Sequence, residues 1–194
     1  MLMMNKENKT LFFAAASMIL FAAFTRLLPH YPNFTAIGAI AVFGGAVFKD
    51  KKSAFLLPLA ALLLSDICLQ LFTSIKGFYG AGQLFVYGAF ILITWLATYM
   101  RSRSAANVAL AAVWSGLIFF LVSNFGVWLL SGSFYPKTLA GLGACYWAAI
   151  PFYQGQLTGS FLLNGIVGDL LFSALLFGGY ALVEKRVAST PTLA

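Results

Sequence analysis

Long apolar runs alternate with short polar breaks along this chain, and the runs have the length of membrane spans. A hydrocarbon layer about 30 Å thick calls for roughly 20 mostly apolar residues in a helix. Runs at residues 11–28, 54–72, 84–100, 108–130 and 160–183 fit that requirement. Pro29 and Pro32 close the first run, since proline has no N–H to donate and its ring blocks the preceding turn. The next run, residues 34–48, covers only about 22 Å as a helix. It predicts a short helix in thinned bilayer or one shielded by its neighbours.

The breaks carry the charge. Lys49, Asp50, Lys51 and Lys52 precede the third run, a glycine-rich loop at 77–82 precedes the fourth, and Arg101 and Arg103 precede the fifth. Residues 139–152 form an apolar run too short to cross, which predicts a re-entrant or interfacial helix. Glu184, Lys185 and Arg186 close the last run, and the short polar tail at 187–194 is expected to be disordered. The pattern predicts an all-α integral membrane protein, one transmembrane domain over residues 1–186 with about six spans.

Orientation follows from the excess of Lys and Arg in cytoplasmic loops. With both termini cytoplasmic, Lys6, Lys9, Lys49, Lys51, Lys52, Arg101, Arg103, Lys185 and Arg186 lie inside, and Arg26, Lys76 and Lys137 lie outside. That nine-to-three division weakens to seven against five if residues 139–152 become a seventh span. A multi-pass protein of the plasma (inner) membrane is expected. Lys6 and Lys9 before an apolar run imitate a signal peptide, but Arg26 and the residues after it do not read as a mature N-terminus, so a retained first helix is expected.

Composition agrees: 61% of residues are hydrophobic, 9% are charged, and mean hydropathy is +0.91, far from an ordinary soluble domain. The net charge of +7 sits in loop clusters and not along one stripe, which argues against nucleic acid. Cys68 and Cys145 fall in apolar surroundings, so neither a disulfide framework nor a zinc spacing is visible. No internal repeat stands out. Ser160, Asn164 and Gly168, spaced by four, suggest close helix packing.

Ionisable groups at hydrocarbon depth are expensive, and each is a functional hypothesis. In the expected topology Arg26, His30, Asp66, Asn124 and Asp169 lie in the outer half, and they predict a polar pocket opening outward. Arg26 and Asp66 fit equally a self-satisfied ion pair that fixes two helices. His30, between Pro29 and Tyr31, reads first as a loop histidine. Asp169 has no basic neighbour on its own helix, so it is a proton or cation site, stays protonated, or needs a partner from another helix. Tyr79 and Trp128 belong to a set of aromatics that form an interfacial belt or stack on a flat ring. With no His-rich metal spacing, nucleophile elbow or phosphate-binding loop, neither an enzyme nor a bound metal or cofactor is expected.

Residues 26–48 (RLLPHYPNFTAIGAIAVFGGAVF), 54–66 (AFLLPLAALLLSD) and 119–152 (FFLVSNFGVWLLSGSFYPKTLAGLGACYWAAIPF) resemble a family of small uncharacterised bacterial membrane proteins. In size, six helices and a proline-broken first loop, that family resembles the S components of energy-coupling factor (ECF) vitamin transporters. The resemblance implies capture of a vitamin-like solute from outside, with an energy-coupling module of a transmembrane coupling protein and paired ATPases as partner. Some such proteins work without the module, including ones for cobalamin, for which His30 or Cys68 would be cobalt ligands. The Ala-x-x-x-Ala docking surface common on the first helix of S components is missing from residues 11–28.

The expected function is therefore binding and uptake of a small micronutrient at a site formed by Arg26, His30, Asp66, Asn124 and Asp169, with Tyr79 and Trp128, covered by residues 77–82 and 135–152. A structural or assembly subunit is the alternative, and a membrane-embedded enzyme using Asp66 and Asp169 the third reading.

Overall fold

The computed structural model describes residues 6–150 and 158–189, and the described residues contain helices and no strands. α1 spans Lys6–Phe24 and runs into a 3-10 turn at Thr25–Leu27. α2 (Ile37–Val47), α3 (Lys51–Phe72), α4 (Gly82–Ala97), α5 (Ala105–Leu130), α6 (Leu139–Ala149) and α7 (Phe161–Ser189) follow. Four of these stretches, Glu7–Leu27, Lys51–Phe72, Ala105–Leu130 and Phe161–Ser189, are long and apolar enough to cross a membrane. The outward faces agree, because large side chains such as Phe13 on α1, Leu56 on α3 and Leu110 on α5 are exposed, which suits lipid and not water. The protein is an all-helical integral membrane protein.

The bundle is built around α2. Every residue from Ile37 to Gly45 is buried, and α2 packs against α1, α3, α4, α5 and α7. A helix apolar on all sides needs such a sheath, which explains how one of about 16 Å persists at membrane depth. Phe43 meets the edges of Phe177 and Tyr180 at centroid distances of 5.2 and 5.5 Å, joining α2 to α7.

Several element ends differ from expectation for local reasons. α3 begins at Lys51 and not at residue 54, because Asp50 caps it, its carboxylate accepting the Ser53 N–H at 2.9 Å and the Ser53 hydroxyl at 2.8 Å. α1 begins at Lys6, five residues early, and tightens into the 3-10 turn before Leu28, where the backbone becomes extended ahead of Pro29. α7 continues to Ser189, so residues 187–189 of the expected disordered tail are helical; the rest of that tail lies outside the described residues. α6 has 11 residues, too few to span, and leans on α5 through the Tyr146 hydroxyl, which donates to the Leu121 carbonyl at 2.9 Å.

Candidate functional site

The 3-10 turn after α1 carries Arg26 to the flank of α3, two turns from that helix's C-terminus. There Arg26 Nη1 donates to Asp66 Oδ1 at 2.6 Å and to Ser65 Oγ at 2.5 Å. The other carboxylate oxygen is also filled. Gln83 Nε2 and the Tyr87 hydroxyl both donate to Asp66 Oδ2, each at 2.9 Å. Ser65 in turn donates to the Leu62 carbonyl of its own helix at 2.8 Å. Three elements, the 3-10 turn, α3 and α4, thus converge on one carboxylate whose side chain is 2% exposed.

A loop closes over this cluster. Gln83 Oε1 accepts the Tyr79 N–H at 3.2 Å, so the side chain that donates to Asp66 also anchors residues 73–81. Gly77 is buried in that loop, and its N–H donates to Gln70 Oε1 at 3.2 Å. A Cβ at position 77 would run into the backbone carbonyl of Asp66, so only glycine lets the loop lie this close.

The two ends of the ion pair differ in saturation. Asp66 accepts three donors, whereas both bonds of Arg26 leave from Nη1; among the described residues Nη2 and Nε donate to nothing. The arginine side chain is 14% exposed, against 2% for its partner. A guanidinium is a planar fork suited to carboxylate or phosphate, and part of this fork is unspent. Chemically the cluster can hold the arginine in place through Asp66 and Ser65 while presenting its remaining N–H groups to an acceptor.

The other residues singled out from the sequence hold to different partners. His30 is exposed, with Nδ1 2.9 Å from the Tyr31 carbonyl. The Asn124 amide donates to the Phe120 carbonyl of its own helix at 2.8 Å. The Trp128 indole donates to the Pro136 carbonyl at 2.9 Å, and Lys137 lies over its ring at 5.3 Å. Tyr79 reaches the cluster through its backbone, while its side chain is exposed.

Asp169 is buried in α7, where Oδ1 accepts the Ala39 N–H in the first turn of α2 at 3.0 Å. Its carboxyl lies so close to Gly38 that a Cβ there would overlap it. Asn164, one turn earlier and fully buried, donates to the Pro32 carbonyl at 3.0 Å and accepts the Thr158 hydroxyl at 2.7 Å. The Asn164–Gly168 face of α7 therefore holds the chain that leads into α2.

Arg26 and Asp66 are thus brought together, and His30, Asn124, Trp128 and Asp169 do not join them in one hydrogen-bonded cluster. Residues 151 and 152 of the expected cover lie outside the described residues. Ser65 and Gln83 belong to the cluster although neither is singled out by the sequence, and Tyr87 joins it as well. The signal was there for two of them: Gln83 and Tyr87 are four apart at the start of an apolar helix, hence on one face. Both cysteines are free, and among the described residues no three His, Cys, Asp or Glu side chains come together as metal ligands.

These features define a class: a helical membrane protein in which a loop-covered arginine–aspartate pair joins three elements at one end of the bundle. The chain belongs to the family of unknown function DUF6580, whose model matches residues 6–192. No curated protein and no solved structure matches it.

Proposed function

We propose that this protein is a membrane-embedded binding and uptake protein for a small solute bearing a carboxylate, phosphate or carbonyl group, with Arg26 as the anchor. The observation that carries the reading is the unequal saturation of the pair: Asp66 is filled by three donors while Arg26 keeps N–H groups unspent and is the more exposed partner. A pair built only to fix helices has no need of an open guanidinium edge, and here the unspent N–H groups sit on the more exposed partner, within reach of a solute acceptor.

The proposed topology counts α2 and α4 as spans beside the four long helices, giving six, with both termini cytoplasmic and α6 at the outer surface. The basic residues at the ends of α2, α4 and α7 support this orientation, which places the Arg26 end outside a plasma (inner) membrane. The likeness to S components of ECF transporters, and with it a vitamin-like solute and an energy-coupling partner, is part of the same proposal and rests on the resemblance alone.

One observation favours a second reading, a structural or assembly subunit: Asp66 is fully satisfied and ties three elements together, as a purely architectural residue would. Thermal unfolding of the purified protein against a panel of anionic metabolites separates the two. A binder is stabilised by about 2.7 kcal/mol at a hundredfold excess of ligand over Kd. A scaffold does not respond to any member of the panel.

A further inference from the structure

The opposite end of the bundle carries a second chemistry, independent of the solute reading. A hollow of about 290 Å³ opens there between the end of α2, the start of α3 and the end of α4, lined by Val47, Phe48, Lys49, Lys51, Thr98 and Tyr99 among others. Lys49, Lys51, Lys52 and Arg101 are all exposed at this end, and none enters a salt bridge among the described residues. Asp50, the only carboxylate in the run, is committed to the Ser53 N–H and hydroxyl.

Helix dipoles oppose an anion here in part, because α2 and α4 end at the hollow and only α3 begins there. Each helix end counts for about half a charge. Four cations against those ends and Asp50 still leave the balance positive by roughly two charges.

The position of the hollow argues for an amphiphile over a free ion. α2 is about 16 Å long and α4 about 24 Å, both short of the roughly 30 Å of hydrocarbon, so the hollow sits where two short helices end beside the start of the long α3. Beside it lie exposed Trp95 on α4 and Tyr99 in the turn just after it, their rings edge to face at 5.4 Å, with exposed Ile91 and Leu92 farther along the helix. Cations facing a recess with an apolar wall next to it match a phosphate headgroup with its acyl chains alongside.

We propose that this hollow binds the phosphate headgroup of an anionic phospholipid, with Lys49 and Lys51 contacting its oxygens and the chains lying against Trp95 and Tyr99.

The test uses the full chain in nanodiscs of phosphatidylcholine containing a small fraction of phosphatidylglycerol, with retained lipid counted by native mass spectrometry. Wild type retains phosphatidylglycerol in preference to phosphatidylcholine. A Lys49→Ala, Lys51→Ala variant binds it more weakly by roughly fivefold for each lysine lost, about 25-fold for the pair. Lys76→Ala, an exposed lysine in the loop before α4, leaves retention unchanged. Both lysines at the hollow are exposed, so the double variant folds and the comparison stands. Equal retention by wild type and the double variant would overturn the proposal. So would inorganic phosphate that displaces the bound lipid from wild type at concentrations that leave phosphatidylcholine in place, since the site would then take a soluble anion.

Discussion

Asp169 in α7 caps a helix far from it in sequence: its carboxylate accepts the N–H of Ala39, 130 residues before it, in the first turn of α2. The residue in the usual capping position, Ala36, has no side-chain oxygen to offer. First-turn N–H groups at membrane depth find no water, so a partner from another element is needed. The carboxylate also faces the positive end of the α2 dipole. A buried acid that looked isolated on its own helix has its partner in another helix's backbone.

Asp169→Ala removes that acceptor and leaves the Ala39 N–H orphaned, so unfolding in detergent is expected to show a loss of about 1–3 kcal/mol. Asp169→Asn keeps an amide oxygen in place and is expected to lose less. Equal stability of the alanine variant and wild type would show that the cap contributes nothing.

Gly77→Ala is expected to lift residues 73–81 from α3, because the new methyl meets the Asp66 carbonyl carbon at 2.8 Å even before its oxygen is considered. Overpacking of this kind costs about 1–3 kcal/mol. Hydrogen exchange should rise in residues 73–81 and at the Gln83 end of α4 while α5 and α7 stay protected. Unchanged exchange in that loop would contradict the close approach.

Asp50 gives a pH signature. Its bonds to the Ser53 N–H and hydroxyl, followed by the backbone N–H and then the charge of Lys52, hold its pKa below the ordinary value of 3.8. A carboxylate depressed in the folded state contributes stability that is fully present above the unfolded value and is lost as pH falls through the folded one. The difference in stability between wild type and Asp50→Ala should therefore be constant near neutrality and shrink once pH drops below about 4. A difference unchanged down to pH 2 would mean that capping by the ionised carboxylate is not its source.

The helices were legible from the sequence because hydrophobic run length reports a property of the bilayer, and the breaks at Pro29, Lys49 and Arg101 are local. Ends set by side-chain chemistry were harder to place: Asp50 moved the start of α3 back by a single cap. The site was legible in part. Arg26 and Asp66 stand out because charge at hydrocarbon depth is costly, and their opposite charges at similar depth made a mutual pair one of two equal readings. Which face each helix turns inward depends on packing that no local pattern encodes. Asn124 therefore shares the expected depth of Asp66 but spends its amide on Phe120 within its own helix. Gln83 was hidden because a polar residue at the start of a helix usually meets water, and here it meets Asp66 beneath a loop.

Removing only one member of the pair separates architecture from binding poorly. Arg26→Ala strands a buried carboxylate and is expected to lower stability by about 3–5 kcal/mol, whatever the protein does. Thermal unfolding checks this, and a loss under about 1 kcal/mol would show that Asp66 escapes to water or takes up a proton at little cost.

Replacing both charges while keeping hydrogen-bonding side chains, as in Arg26→Gln with Asp66→Asn, leaves no lone buried charge and preserves acceptors for Gln83 and Tyr87. The most direct measurement is mass spectrometry of small molecules released from gently purified wild type and from this double variant, compared at matched folded fractions. An arginine-anchored binding protein carries an anionic or carbonyl-bearing metabolite in wild type that is absent from the double variant. Identical small molecules on both proteins, or none on wild type from cells grown on complete medium, would contradict the assignment of Arg26 as a solute anchor.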